Sequence, residues 1–238
     1  MKKLFFLLVA SVLATTASAQ FVNSGSANSS ATSGGNAISA MSTDDYNRIY
    51  VGYNPMKINW DKYQSELEEE FPLTQSLTFG YLHASSLANN LPLFLEYGAN
   101  FQYSFGKEKE DDYEWGVSVY SVNVPVNLAF KFQFNDVSLT PYLGLNFRVN
   151  AAGTYKYEYE DYYGDIESEK INIFDDSDEE WGDGTPKRFQ AGLNLGVGFS
   201  YKALYLGVGY VSDFTKVFDY EDMEGKIGVT TLTLGINF

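Results

Sequence analysis

From Arg48 onward the chain alternates, residue by residue, between apolar side chains and small or polar ones. In "SLTPYLGLNFRVNAA" the residues Leu139, Pro141, Leu143, Leu145, Phe147, Val149 and Ala151 share one parity, and Tyr142, Gly144, Asn146, Arg148 and Asn150 hold the other. "VNVPVNLAFKFQF" repeats the pattern, setting Val124, Val126, Leu128, Phe130, Phe132 and Phe134 against Asn123, Asn127, Ala129, Lys131 and Gln133. So do "LFLEYGANFQYSF", "GLNLGVGFSY", "LYLGVGY" and the final "TTLTLGINF", with "RIYVGYNP" and "SLTFGYLH" as weaker members. Successive side chains of a strand point to opposite faces, so a period of two predicts β-structure throughout, in eight strands.

A barrel or sandwich with an apolar core would turn the Phe, Leu and Tyr residues inward and cover the other face with dense Lys and Glu. Here the other face is Gly, Asn, Ser and Thr with isolated charges. A narrow, polar, glycine-lined interior and an oily exterior are what an eight-stranded transmembrane barrel requires, because in lipid every backbone donor and acceptor must be paired and strands achieve this only by closing on themselves. The predicted fold class is therefore all-β: an eight-stranded antiparallel up-and-down transmembrane β-barrel.

The start, "MKKLFFLLVASVLATTASAQ", has the two lysines, apolar run and Ala17-Ser18-Ala19 cleavage pattern of a secretory signal peptide, giving residues 1–19 to the signal. Residues 20–47, rich in Ser, Gly and Asn, form a flexible lead-in, and 48–238 the barrel. Without cysteine, the exported fold uses no disulfides. The connections alternate between short turns and long acidic segments, so short turns are expected in the periplasm, long acidic loops outside the cell, and both mature termini in the periplasm. The long segments hold 26 of the 31 acidic residues of a chain with net charge -15. That charge excludes nucleic acid as a partner and favours loosely held divalent cations near lipid phosphates.

The alternating tail Leu232, Leu234, Ile236 and Phe238, ending on an aromatic, resembles the signal by which outer-membrane barrels are recognised by the barrel-assembly machinery. The span from Ile49 to Phe238 resembles the small eight-stranded barrels of the OmpA and OmpX type, and in "LPLFLEYG" and "VPVNLAFKF" the porin-like outer-membrane β-barrel proteins of Bacteroidota. The resemblance implies an integral outer-membrane protein among outer-membrane lipids, without cofactor or metal, serving envelope structure or surface contact. A narrow channel for small solutes or ions is the alternative.

The informative charges on the lumen parity are Glu96, Lys131 and Arg148. Glu96 and Lys131 are expected at similar heights and to pair, either as a structural plug or as a gate. Tyr155, Tyr157 and Tyr159 continue the outward parity of the fifth strand beyond bilayer height, as aromatic girdle or as a strip for extracellular protein contact. "HAS" at His83 to Ser85, with Glu96 on the next strand, superficially resembles lipid-deacylating barrels. Parity, however, turns His83 to lipid and Glu96 to the lumen, and no catalytic residues are assigned. Asp176, Asp178 and Glu180 have alternating spacing but lack the glycine and distal glutamate of a calcium loop, so no metal site is assigned.

Overall fold

The computed structural model describes residues 43–60, 74–88, 91–110, 113–160, 166–175, 185–220 and 223–238. The expected signal, most of the expected lead-in and the 176–184 run with its acidic triplet lie outside them. Twelve strands are assigned: β1 (Tyr46–Tyr53), β2 (Met56–Trp60), β3 (Gln75–Ser86), β4 (Leu93–Glu110), β5 (Tyr113–Phe130), β6 (Phe132–Phe134), β7 (Val137–Glu160), β8 (Ile166–Asn172), β9 (Phe189–Tyr201), β10 (Leu204–Asp213), β11 (Phe218–Tyr220) and β12 (Met223–Asn237).

Eight staves make the ring. β1 and β2 keep one register against β12 and are a single stave broken at Asn54-Pro55. β5 and β6 likewise share a register against β7, broken where Phe130 faces Pro141, which has no N–H to give. The order β1-β3-β4-β5-β7-β9-β10-β12 is antiparallel at every step, and β12 pairs back onto β1. Asn47 and Phe238 exchange both backbone hydrogen bonds, 2.8 and 2.9 Å, at the bottom of this seam.

Burial follows parity. Outward Phe79, Leu143, Leu193, Leu206 and Leu234 are about half exposed, whereas inward Asn123, Asn127, Asn146 and Ser200 are buried. The aromatic tail takes the same outward face at Leu232, Leu234, Ile236 and Phe238. Large inward rings sit over glycines of neighbouring staves: a Cβ on Gly196 would lie 2.5 Å from Tyr142, and one on Gly198 2.3 Å from Tyr205. The glycines are thus the space into which the tyrosines pack.

One end of the ring has tight turns. Asn135 and Lys202 take positive φ of 54° and 53°, the left-handed conformation that two-residue hairpins need. At the other end the structure corrects the expectation of loops. "KEKE" continues β4 and "YEWG" opens β5, so residues 107–110 and 113–116 are paired strand, with Lys107 bound to Glu114 at 2.6 Å. β7 also runs on to Glu160 and pairs with β8, so that β4, β5, β7 and β8 stand above the ring as a protruding sheet.

A β-bulge in β7 overturns the predicted parity of the tyrosine strip. Ser121 faces Asn150 but Tyr120 faces Ala152, leaving Ala151 as one extra residue. A single inserted residue exchanges the two faces of everything beyond it. Tyr155 and Tyr157 therefore share the inward parity of their partners Val117 and Trp115, and the backbone of Tyr159 follows. The outward positions pass to Thr154, Lys156 and Glu158. Arg188 holds the bulge, donating to the carbonyls of Asn150 (3.3 Å), Ala151 (2.9 Å) and Phe174 (3.2 Å). Ile173 and Phe174 fold over Gly153 on the inner side, where a Cβ would stand 2.6 Å from Ile173.

Candidate functional site

Among the described residues two ion pairs are buried in the lumen. Near the tight-turn end, Arg48 of β1 meets Glu96 of β4 at 3.4 Å, with side-chain exposures of 5% and 1%. The Tyr46 hydroxyl donates to the same Glu96 oxygen at 2.5 Å, Arg48 Nε donates to Asn237 at 2.8 Å, and the guanidinium lies 3.5 Å over the Tyr205 ring. Expected pairing of Glu96 with Lys131 is not what forms. Glu96 lines up across β3 with Tyr46, and Arg48, two residues along the same face of β1, reaches it diagonally; the residue of β5 opposite Glu96 is Asn127, so Lys131 lies four residues away and instead caps the Tyr46 ring at 4.5 Å.

Higher in the ring Arg148 of β7 binds Asp213 of β10 at 3.1 Å, with exposures of 3% and 0%. Its Nε donates to Asn123 at 3.1 Å. Asn123 in turn donates to Asn100 (2.9 Å) and Gln102 (3.0 Å), and Asn146 donates to Asn123 (3.3 Å). Carboxamides, each both donor and acceptor, thus link three staves, β4, β5 and β7, as a polar interior must when little water is available. Between the two pairs a cavity of about 90 Å3 remains, lined among others by Arg48, Glu96, Asn123 and Arg148. That is room for several waters.

Arg48 and Asp213 are not among the charges expected in the lumen, although both lie on the inward parity of their strands, at Arg48-Tyr50-Gly52 and Tyr205-Gly207-Gly209-Val211-Asp213.

A third constellation lies on the outward face near the tight-turn end. His83 Nε2 is 3.0 Å from Ser85 Oγ, and His83 Nδ1 is 2.9 Å from Asn47 Oδ1. An acceptor at Nδ1 places the ring proton there and leaves Nε2 to accept from the Ser85 hydroxyl, the arrangement of a general base beside a nucleophile. Glu96 takes no part, being in the lumen; Asn47, from the neighbouring strand, is the orienting group, and Tyr81 also donates to it at 2.5 Å. The backbone N–H after Ser85, that of Ser86, is already bound to Asp45 at 2.7 Å, so the nearest oxyanion donor is occupied. Among the described residues no group of three His, Cys, Asp or Glu side chains could hold a metal ion.

A closed ring of eight antiparallel staves, apolar outside and polar within, defines a small transmembrane β-barrel of the outer-membrane type. No protein-family model matches the chain, and no curated protein sequence does. Among solved structures it is similar to Ail, the attachment invasion locus protein of Yersinia pestis, at 17% identity over 82% of this chain and 99% of that one, TM-score 0.38. It is also similar to the outer membrane enzyme PagL (10% identity, 79% and 98% covered, TM-score 0.46) and to Neisserial surface protein A (11%, 83% and 98%, TM-score 0.40).

Proposed function

We propose that this is a non-enzymatic outer-membrane protein whose lumen is a scaffold and whose contribution, to envelope structure or surface contact, is made by the protruding sheet. The observation that carries the reading is the presence of two buried ion pairs, Arg48–Glu96 and Arg148–Asp213, the second continued across the bore by the carboxamides around Asn123. Charges fixed this way brace the staves and occupy the path a solute would take. Short turns at the seam end fit a periplasmic location for it, with the sheet outside the cell. β8 pairs with β7, and no described strand covers its other edge, which suits it to pairing with an extended segment of an extracellular protein. Planar-bilayer recording of the refolded barrel should be silent; discrete openings whose ion preference changes in Glu96→Gln would refute the scaffold reading in favour of a channel. Cells carrying a chain that lacks β8 should lose adhesion while the barrel remains heat-modifiable on gels, and unchanged adhesion would remove the contact reading.

The contact of His83 with Ser85 and Asn47 favours a second reading, a lipid acyl hydrolase acting at the leaflet near the tight turns. In that case the purified barrel would release fatty acid from phospholipid vesicles and Ser85→Ala would abolish the release. No release above that of Ser85→Ala removes it.

A further inference from the structure

The outward face of the protruding sheet carries a row of cations that the bulge creates. Backbone register aligns Lys107 of β4 with Gly116 of β5, Gly116 with Lys156 of β7, and Lys156 with Lys170 of β8. One line across four strands thus holds three lysines and a glycine. Directly beneath comes the row Phe105, Ser118, Thr154 and Asn172, and beneath that the row containing Tyr103 and Tyr120, whose rings stack at 4.9 Å.

Rows on one face are about 7 Å apart along a strand, so in a barrel tilted by about 40° the lysines stand roughly 10 Å above the tyrosine stack along the membrane normal. Interfacial tyrosines mark the boundary of the acyl region, and long lysine side chains reach back toward it. The row therefore lies at the depth of headgroup phosphates.

Its internal arrangement calls for an anion. Lys156 and Lys170 are directly opposed, and like charges in that relation repel. Glu114 and Glu158, in the row above and also lining the groove, hold ion pairs with Lys107 and Lys156, which an anion would have to share; among the described residues no carboxylate lies within ion-pair distance of Lys170, so the row keeps a net positive charge. Gly116 leaves a notch between Lys107 and Lys156, since a Cβ there would meet only the Gly106 carbonyl oxygen, at 3.4 Å. A groove of about 630 Å3 runs over it, bounded by Tyr103, Phe105 and Tyr120 below and the lysines above.

We propose that this groove binds the phosphorylated headgroup of a lipid in the leaflet next to the protruding sheet, with the lysines on phosphate and the aromatic rings against the upper acyl chain. From Lys107 to Lys170 is three strand spacings, about 14 Å, which suits a headgroup with more than one phosphate. The proposal rests on the outer-membrane reading, and the experiment separates the two.

The barrel is reconstituted in phosphatidylcholine nanodiscs containing lipid A with two phosphates, or the same lipid dephosphorylated, and the lipid retained is measured by native mass spectrometry. The bisphosphorylated lipid should be retained, and K107Q/K156Q/K170Q should lower its retention at least about tenfold, with high salt acting in the same direction. Lys202→Gln, at the opposite end, should retain it as wild type does. Equal retention by the triple variant, or equal retention of the dephosphorylated lipid, overturns the proposal. Displacement of the lipid by free pyrophosphate at low concentration overturns its assignment to a lipid in favour of a soluble phosphate. A heat-dependent gel shift in both proteins shows that each ring has formed in the membrane, so loss of the site is distinguished from loss of the barrel.

Discussion

Replacing Asp213 by Asn keeps the shape of the side chain and removes its charge, which isolates what the Arg148 pair contributes. At 3.1 Å and an effective dielectric constant near 20, opposite unit charges attract by roughly 5 kcal/mol. Removing the carboxylate also removes its own desolvation, and the new amide oxygen still accepts from Arg148, so the net loss should be about 3–4 kcal/mol, within the range for stranding one member of a buried pair. The measurement is urea unfolding of the barrel refolded into lipid vesicles, followed by tryptophan fluorescence and by the gel shift that marks a closed ring. The doubly apolar Arg148→Met/Asp213→Leu should recover most of the loss, since no charge is then left without a partner. A single variant within about 0.5 kcal/mol of wild type, a change expected of surface positions, would show that water reaches the pair and that its desolvation was wrongly assumed.

Three other outcomes follow from particular contacts. Arg188→Ala should cost about 1–2 kcal/mol, because three backbone carbonyls lose a charged donor, and should speed amide exchange selectively at Ala151 to Gly153; uniform exchange would deny that Arg188 holds the bulge. Deleting Ala151 should leave one unbroken register along β7, with Asn150 still opposite Ser121 and Ala152 opposite Tyr120, so Lys156 should stay outward and lipid retention persist, whereas loss of retention would refute the account of the bulge. The hydrogen bond from Lys156 holds the half-exposed Glu158 carboxyl below the usual glutamate range. Its small contribution to the hairpin is therefore present above the unfolded pKa and lost as pH falls through the depressed folded one, and carbon NMR of its carboxyl should give a midpoint below that of free glutamate, an ordinary midpoint counting against the contact.

The ring was legible because a bilayer imposes a rule on every residue of a stave: outward positions such as Leu143, Leu145 and Phe147 must be apolar, and the bore admits only small or hydrogen-bonded groups. Above the bilayer both faces of a strand meet water. "KEKEDDYEWG" consequently has no periodicity to mark it as paired strand, and its pairing rests on cross-strand partners such as Lys107 and Glu114. The bulge left no trace in "VNAAGT", where small residues suit either face, and the residue that stabilises it, Arg188, is far away in sequence. The lumen charges were identified one by one from parity, but partners depend on which staves face each other across the bore. Arg48 therefore takes Glu96 from Lys131, and Asp213 lies beyond the clear "LYLGVGY" alternation, where parity no longer marks it.

The seam has a consequence for assembly. Arg48 and Asn237, which touch across it, are separated by 189 positions along the chain. Until β12 docks on β1, each of the two would expose an unpaired row of amide and carbonyl groups that hydrocarbon cannot solvate. A half-finished ring has no stable place in a bilayer, so stave-by-stave insertion is closed to it. Something must shelter both rims while the remaining staves arrive, and completion must be a single late event whose slowness reflects the distance between the two rims along the chain rather than the strength of either.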